Sequence, residues 1–203
     1  MEEIFTVFWV IMGLLLLMLL LAALWLLLLL AKSLRLTEAV DNMRTLSRLE
    51  SGRQDAALGP VLAAKALRDC LNRMNGLAHQ RGISLILDPF EQSIMVYGKE
   101  ELLGKVLENL LADAICHART TVTISVKAEK KQVSISVSDD GGRIDEKDLP
   151  YLLEGRSMDR CGSLGIGFAI ARTAAEKMEG RLEAADQHKG KAAFTLLLKM
   201  VSY

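Results

Sequence analysis

From Ile4 to Ala31 the chain carries no charged residue, is interrupted only by Thr6 and Gly13, and is dominated by leucine from Leu14 to Leu30. A hydrocarbon core about 30 Å thick needs roughly 20 apolar residues to be crossed by a helix. This run exceeds that length, so it is expected to span a membrane with some tilt. A cleaved signal peptide fits less well, because Glu2 and Glu3 stand where a basic n-region belongs and the apolar run is too long for an h-region. Lys32 and Arg35 follow the run and no Lys or Arg precedes it, which predicts a single-pass protein of the cell membrane with its C-terminal part in the cytoplasm. With so few residues before the run, no extracytoplasmic sensor domain is expected.

A chain of 203 residues has room for one ordinary domain after such an anchor. Lys and Arg balance Asp and Glu at a net charge of zero, so the chain lacks the basic footprint of a nucleic-acid binder. The three cysteines, Cys70, Cys116 and Cys161, are odd in number and widely spaced. In a reducing compartment they predict neither a disulfide framework nor a zinc site, and read as packing residues.

Beyond the anchor, Ser33 to Ser51 carries Leu34, Val40, Met43, Leu46 and Leu49 near helical spacing, and Gly52 can end the helix. Pro60 to Gln80 reads as a second helix with an apolar stripe, closed at Gly82. Ile83 to Leu87 and Ile94 to Tyr97 read as paired strands around Pro89, and Lys99 to Ala118 returns to helical period. Thr121 to Lys127 and Gln132 to Ser138 alternate β-branched and polar residues, a hairpin signature. A helix over about Ile166 to Met178 and strands near Arg181 to Ala185 and Ala192 to Lys199 complete an α+β fold, helices on one face of a mixed sheet.

Two glycine-rich loops stand out, Asp139 to Ile144 and Gly155 to Gly167. Glycines before a helix let backbone amides approach a phosphate, with the helix dipole adding attraction. Taken singly, Gly162 to Gly167 serves equally well as a plain loop and helix cap. A dinucleotide-binding loop is the other candidate, but that fingerprint opens the first helix of a parallel βαβ unit, and here the glycines follow an antiparallel hairpin. Asp139, at the end of an alternating strand, can accept a hydrogen bond from an exocyclic amine, and Gly141 leaves space for a flat base. An Asp-rich turn is the plain alternative.

In order, these pieces resemble the histidine kinase branch of the ATPases that share a fold with gyrase B, the Hsp90 chaperones and MutL. "MRTLSRLESG" at Met43 to Gly52 resembles the end of the family's second dimerisation helix, and "GISLIL" at Gly82 to Leu87 the first strand of its ATP domain. "LLGKVLENLLADAICHA", Leu102 to Ala118, resembles the N box and "VSDDGGRI", Val137 to Ile144, the G1 box. "LPYLLEG", Leu149 to Gly155, resembles a worn F box, and "GSLGIGFAIARTAAEKMEGRLEA" from Gly162 the G2 box with its helix and strand. The apolar run predicts a transmembrane anchor over 1–32, and the resemblance implies a helical linker resembling part of a dimerisation region over 33–81 and a Bergerat-type α/β sandwich over 82–203. It implies ATP and magnesium as ligands, with Asp139 binding adenine, Gly141 lining the base pocket, Gly162, Gly165 and Gly167 in the phosphate loop, and Asn109 supporting the N-box helix.

The departures from the family pattern matter for chemistry. Asp113 stands where the magnesium-coordinating residue is usually Asn, and Cys116 where Lys or Arg usually meets the phosphates. An Asp can still ligate magnesium, which makes Asp113 the candidate metal ligand, but it adds a negative charge beside a triphosphate and Cys116 removes a positive one. Arg143 replaces the second G1 glycine and either blocks the pocket or restores the missing charge. Leu152 and Leu153 replace the usual F-box aromatic, and Leu164 a small polar residue.

The three histidines, His79, His117 and His188, lack the setting of the family's phosphoacceptor, an acidic residue just after the histidine on a long helix. No catalytic residue is therefore assigned. The expectation is a degenerate homologue that docks on a partner kinase or response regulator, as a homodimer or in a mixed dimer, and binds ATP weakly or not at all. The alternative is an active kinase phosphorylating a histidine or serine on another protein, and a plain anchored structural module is the third reading.

Overall fold

The computed structural model describes residues 2–51, 57–142, 166–187 and 191–201. They fall into two compact units, Met1–Asp41 and Asn42–Tyr203. Helix α1, Glu2–Glu50, begins in the first. Its stretch Ile11–Leu30 has a mean hydropathy of 3.0 and buries nothing within the protein, and it is long and apolar enough to cross a membrane.

In the second unit the last turns of α1 bring Leu49 into the core, 3% exposed, with Leu46 packed beside it. The elements that follow are β1 (Gly59–Leu62), α2 (Ala63–Gln80), β2 (Ser84–Leu87), β3 (Met95–Gly98), α3 (Glu100–His117), β4 (Thr121–Glu129), β5 (Gln132–Asp139), α4 (Ile166–Lys177), β6 (Arg181–Gln187) and β7 (Lys191–Lys199). Five strands form one sheet in the order β2-β4-β5-β7-β6, and β1 pairs with β3 in a small second sheet. The β2–β4 pairing is parallel and the others are antiparallel, so the main sheet is mixed, as expected.

Strand alternation decides which face of this sheet is covered. Val122, Ile124 and Val126 of β4 and Val133, Ile135 and Val137 of β5 point to one side and are buried. Against them α3 lays Leu103, Val106, Leu107, Leu110, Leu111, Ala114 and Ile115, a stripe at three-four spacing that gives the helix its place as well as its period. Truncating one such leucine costs roughly 2–5 kcal/mol. The opposite face carries Thr121, Thr123, Ser125, Ser134, Ser136, Ser138 and Thr195, all half-buried, and the Ser136 and Thr195 hydroxyls meet at 2.8 Å. The β4–β5 turn is two residues long, Lys130 taking the left-handed φ of 53° that tight hairpins demand.

Three expectations about the helical and strand segments are corrected. Pro60, Val61 and Leu62 are strand rather than the first turn of a helix, since Pro60 tolerates a strand edge and β3 supplies the partner. The strands around Pro89 pair with β4 and β1, not with each other. Helix α2, expected in a linker, packs on α3 and β2, and its buried Ala63, Ala66, Leu67 and Cys70 belong to the domain core. Arg73 and Glu108, 2.7 Å apart, tie α2 to α3 from outside. Burial pushes the Cys70 thiol up to about 12, so it remains an inert packing group.

Candidate functional site

Residues 109, 113, 116 and 117 fall at spacings of four, three and one, which places them on one face of α3, beside the apolar stripe rather than within it. All four are half-buried. Asn109 donates from Nδ2 to the Lys105 carbonyl at 2.7 Å, which leaves its Oδ1 facing the start of α4. There Gly167 allows the approach, because a Cβ at that position would lie 2.8 Å from Asn109 Oδ1. Asp113 Oδ1 stands 3.6 Å from His117 Nε2, one turn further along α3. Cys116 is disulfide-bonded, which corrects the expectation of a packing thiol; the expectation rested on a reducing compartment and not on the site.

Strand β5 delivers Asp139 to the same end of the domain. The alternation that buries Val133, Ile135 and Val137 also points Asp139 inward, and it is 5% exposed, the one buried charged side chain among the described residues. Its Oδ1 accepts from the Gly141 amide at 2.8 Å, and no donor among the described residues reaches Oδ2. Burial raises its pKa above the usual carboxylate value, against the Gly141 bond and the nearby His117; Asp113 and Asp140 push the same way as burial.

The neighbouring carboxylate is arranged in the opposite sense. Asp140 Oδ1 accepts the amides of Arg119, Thr120 and Thr121 at 2.7, 3.0 and 3.1 Å, and Oδ2 accepts the Thr120 hydroxyl at 2.5 Å. Desolvation opposes its charge, but these donors together outweigh it and hold the carboxyl well below the usual range. A Cβ on Gly141 would overlap the carbonyl oxygen of His117, so this turn and the end of α3 touch backbone to backbone. Gly142 takes a φ of 145°, so the backbone freedom missing at Arg143 is present one residue earlier.

The structure thus brings Asn109, Asp113, Asp139, Gly141 and Gly167 to one end of the domain. Arg143, Gly162 and Gly165, with the segment resembling the F box, lie outside the described residues. The sequence reading missed the Asp140 clamp and the His117 carbonyl: the first looked like part of an acidic turn, and the second is a backbone atom without a residue signature. Among the described residues no cluster of three or more metal-ligating side chains exists, so a divalent ion here would depend on ligand oxygens in addition to Asp113. A buried carboxylate oxygen that no donor among the described residues reaches, beside a glycine pressed on backbone, fits a flat group carrying an N–H donor, as an adenine does.

Comparison with known proteins agrees with the fold. Residues 98–202, just over half the chain, match the family described as histidine kinase-, DNA gyrase B-, and HSP90-like ATPase. Sensor histidine kinase MtrB of Mycobacterium tuberculosis is 29% identical over 174 residues, covering 82% of this chain and 31% of MtrB. The chain therefore spans about a third of that relative's length. Full-length ShkA, solved in complex with AMPPNP, superposes with a TM-score of 0.69 at 20% identity, over 83% of this chain and 36% of that one. The histidine kinase AdeS of Acinetobacter baumannii gives 0.66 at 20% identity, over 82% and 79%. At that identity the two structures speak to the fold alone, and the chain belongs to the histidine kinase-, DNA gyrase B- and HSP90-like ATPase family.

Proposed function

We propose that this chain is a membrane-anchored, nucleotide-binding homologue of sensor histidine kinases that regulates a partner in two-component signalling and does not phosphorylate itself. The observation that carries the nucleotide reading is Asp139, a buried carboxylate with an oxygen that no donor among the described residues reaches. In this reading Asp139 accepts the adenine amine, Gly141 and the His117 backbone form the floor beneath the base, and Asn109 and Gly167 set the spacing between α3 and α4. Asp113 is the proposed ligand for magnesium, which when bound would neutralise phosphate charge. Gly162 and Gly165 are proposed to offer amides to the phosphates, and Arg143 to replace the cation lost at Cys116.

Two features support weak binding: Asp113 adds a negative charge on the α3 face, and Cys116 takes the place of a cation there. None of the histidines in these 203 residues sits in an acceptor setting, so any phosphoryl acceptor is proposed to lie on a partner. That partner is a kinase of the same family, engaged through a homodimer or mixed dimer, or a response regulator, and the proposed topology places the ATP-type domain in the cytoplasm. The alternative, an active kinase working in trans, is favoured by the intact floor, because phosphoryl transfer depends mostly on positioning and electrostatics.

Calorimetric titration of the full chain in nanodiscs with ATP and magnesium, with Asp139→Ala as control, tests the proposal. Binding abolished by that substitution supports a live pocket. Undetectable binding by folded protein removes the nucleotide part and leaves docking alone. Transfer of labelled phosphate to a candidate partner would replace the regulator reading with the kinase one.

A further inference from the structure

Asp140 has no proposed contact with the nucleotide. Its carboxylate is spent on the chain just after α3: three amides and one hydroxyl from Arg119, Thr120 and Thr121. Its own amide returns the link, donating to the Thr121 carbonyl at 3.3 Å. On the other side of the same turn Gly141 presses on the His117 carbonyl. The segment Asp139–Gly141 is thus gripped twice against the segment His117–Thr121, and Asp139 stands immediately before the grips.

We infer that Asp140 is a positioning residue for base selection: by locking the turn after β5 to the start of β4, it fixes where the Asp139 carboxylate stands and so which purine the pocket prefers. The inference rests on the nucleotide-binding reading of Asp139. A 6-amino purine offers a donor to that carboxylate, whereas a 6-oxo purine puts an oxygen against it, so discrimination depends on where the carboxylate is held. A donor-acceptor pair that drifts by even half an ångström or tilts loses much of its strength.

This role separates from plain support of the fold. A variant that merely lowers the folded fraction weakens every nucleotide by the same factor, because the apparent dissociation constant scales with the competent population alone. A misplaced Asp139 instead changes the ratio between nucleotides.

The experiment is calorimetric titration of the full chain in nanodiscs with magnesium-ATP and magnesium-ITP, for the unaltered protein, Asp140→Ala, Asp140→Asn and Thr120→Val, each with its thermal midpoint. The unaltered protein is expected to prefer ATP. Asp140→Ala is expected to reduce that preference by about tenfold or more, the scale of one hydrogen bond to a charged group. Asp140→Asn, whose Oδ1 still accepts the three amides, is expected to keep it within about threefold, since one good acceptor atom suffices for them. Should Asp140→Ala fail to fold, Thr120→Val, which removes only the hydroxyl donor, is expected to narrow the preference while lowering the thermal midpoint by only about 2–4 °C. Equal weakening of both nucleotides in Asp140→Ala, or an unchanged ratio in both Asp140→Ala and Thr120→Val, overturns the inference. A folded unaltered protein that binds neither nucleotide removes the nucleotide reading itself and the inference with it.

Discussion

The turn after β5 and the polar face of α3 border the same end of the domain, but they are held in opposite ways. At the turn, Asp139 is buried, Asp140 is clamped by backbone amides, and Gly141 lies against a carbonyl, so nearly every atom has one possible place. On α3, Asp113 and His117 are half-exposed and meet only at 3.6 Å. The contrast teaches where substitution is tolerated: a site gripped by backbone fails when changed, while a helix face wetted by solvent is tuned by it.

Substitution can break this contrast or sharpen it. Gly141→Ala should have the largest effect, because the added Cβ would overlap the His117 carbonyl oxygen. A loss of about 3 kcal/mol in urea unfolding is expected, with no nucleotide binding. Native stability in that variant would mean the turn is not gripped at all.

Asp139→Asn should cost roughly 1.5–3 kcal/mol of ATP binding, about 10- to 100-fold, while raising the thermal midpoint at neutral pH. The sign follows from burial: the folded-state pKa lies above the unfolded value, so the folded protein holds more protons in that window and its stability falls as pH rises through it. Removing the charge removes the penalty. By the same shift, ATP binding should weaken on acidification at a pH above that at which an ordinary carboxylate titrates.

On the tolerant side, Asp113→Asn combined with Cys116→Lys should strengthen magnesium-ATP binding by about tenfold, ~1.4 kcal/mol, relative to reduced unaltered protein. The gain should shrink at high salt. No gain would place the affinity loss elsewhere. Thr120→Val, the smallest change, should cost about 1 kcal/mol of stability, since three amides still hold Asp140.

Much of this was legible in the sequence where the cause is local. The α3 stripe, the β4–β5 hairpin and the helix after Gly165 follow from period and turn chemistry within a few residues. What failed was non-local. Nothing in Pro60-Val61-Leu62 announces that Met95 to Gly98 will pair with it, and the amphipathic stripe of α2 says that a partner exists without saying which. At the site, Asp139 and Gly141 could be singled out because their side chains, or the lack of one, carry the chemistry. Asp140 could not, because its partners are main-chain amides that any sequence possesses.

The hydroxyl-lined outer face of the sheet has a consequence for life on a surface. Under the proposed membrane anchor the chain is confined to a plane, where copies collide far more often than the same number would in a volume. A sheet whose bare side carried valine and isoleucine would make such encounters adhesive. Threonine and serine keep the β-forming backbone preference while staying hydrated, so neighbours brush past one another and only the contacts shaped for a partner persist.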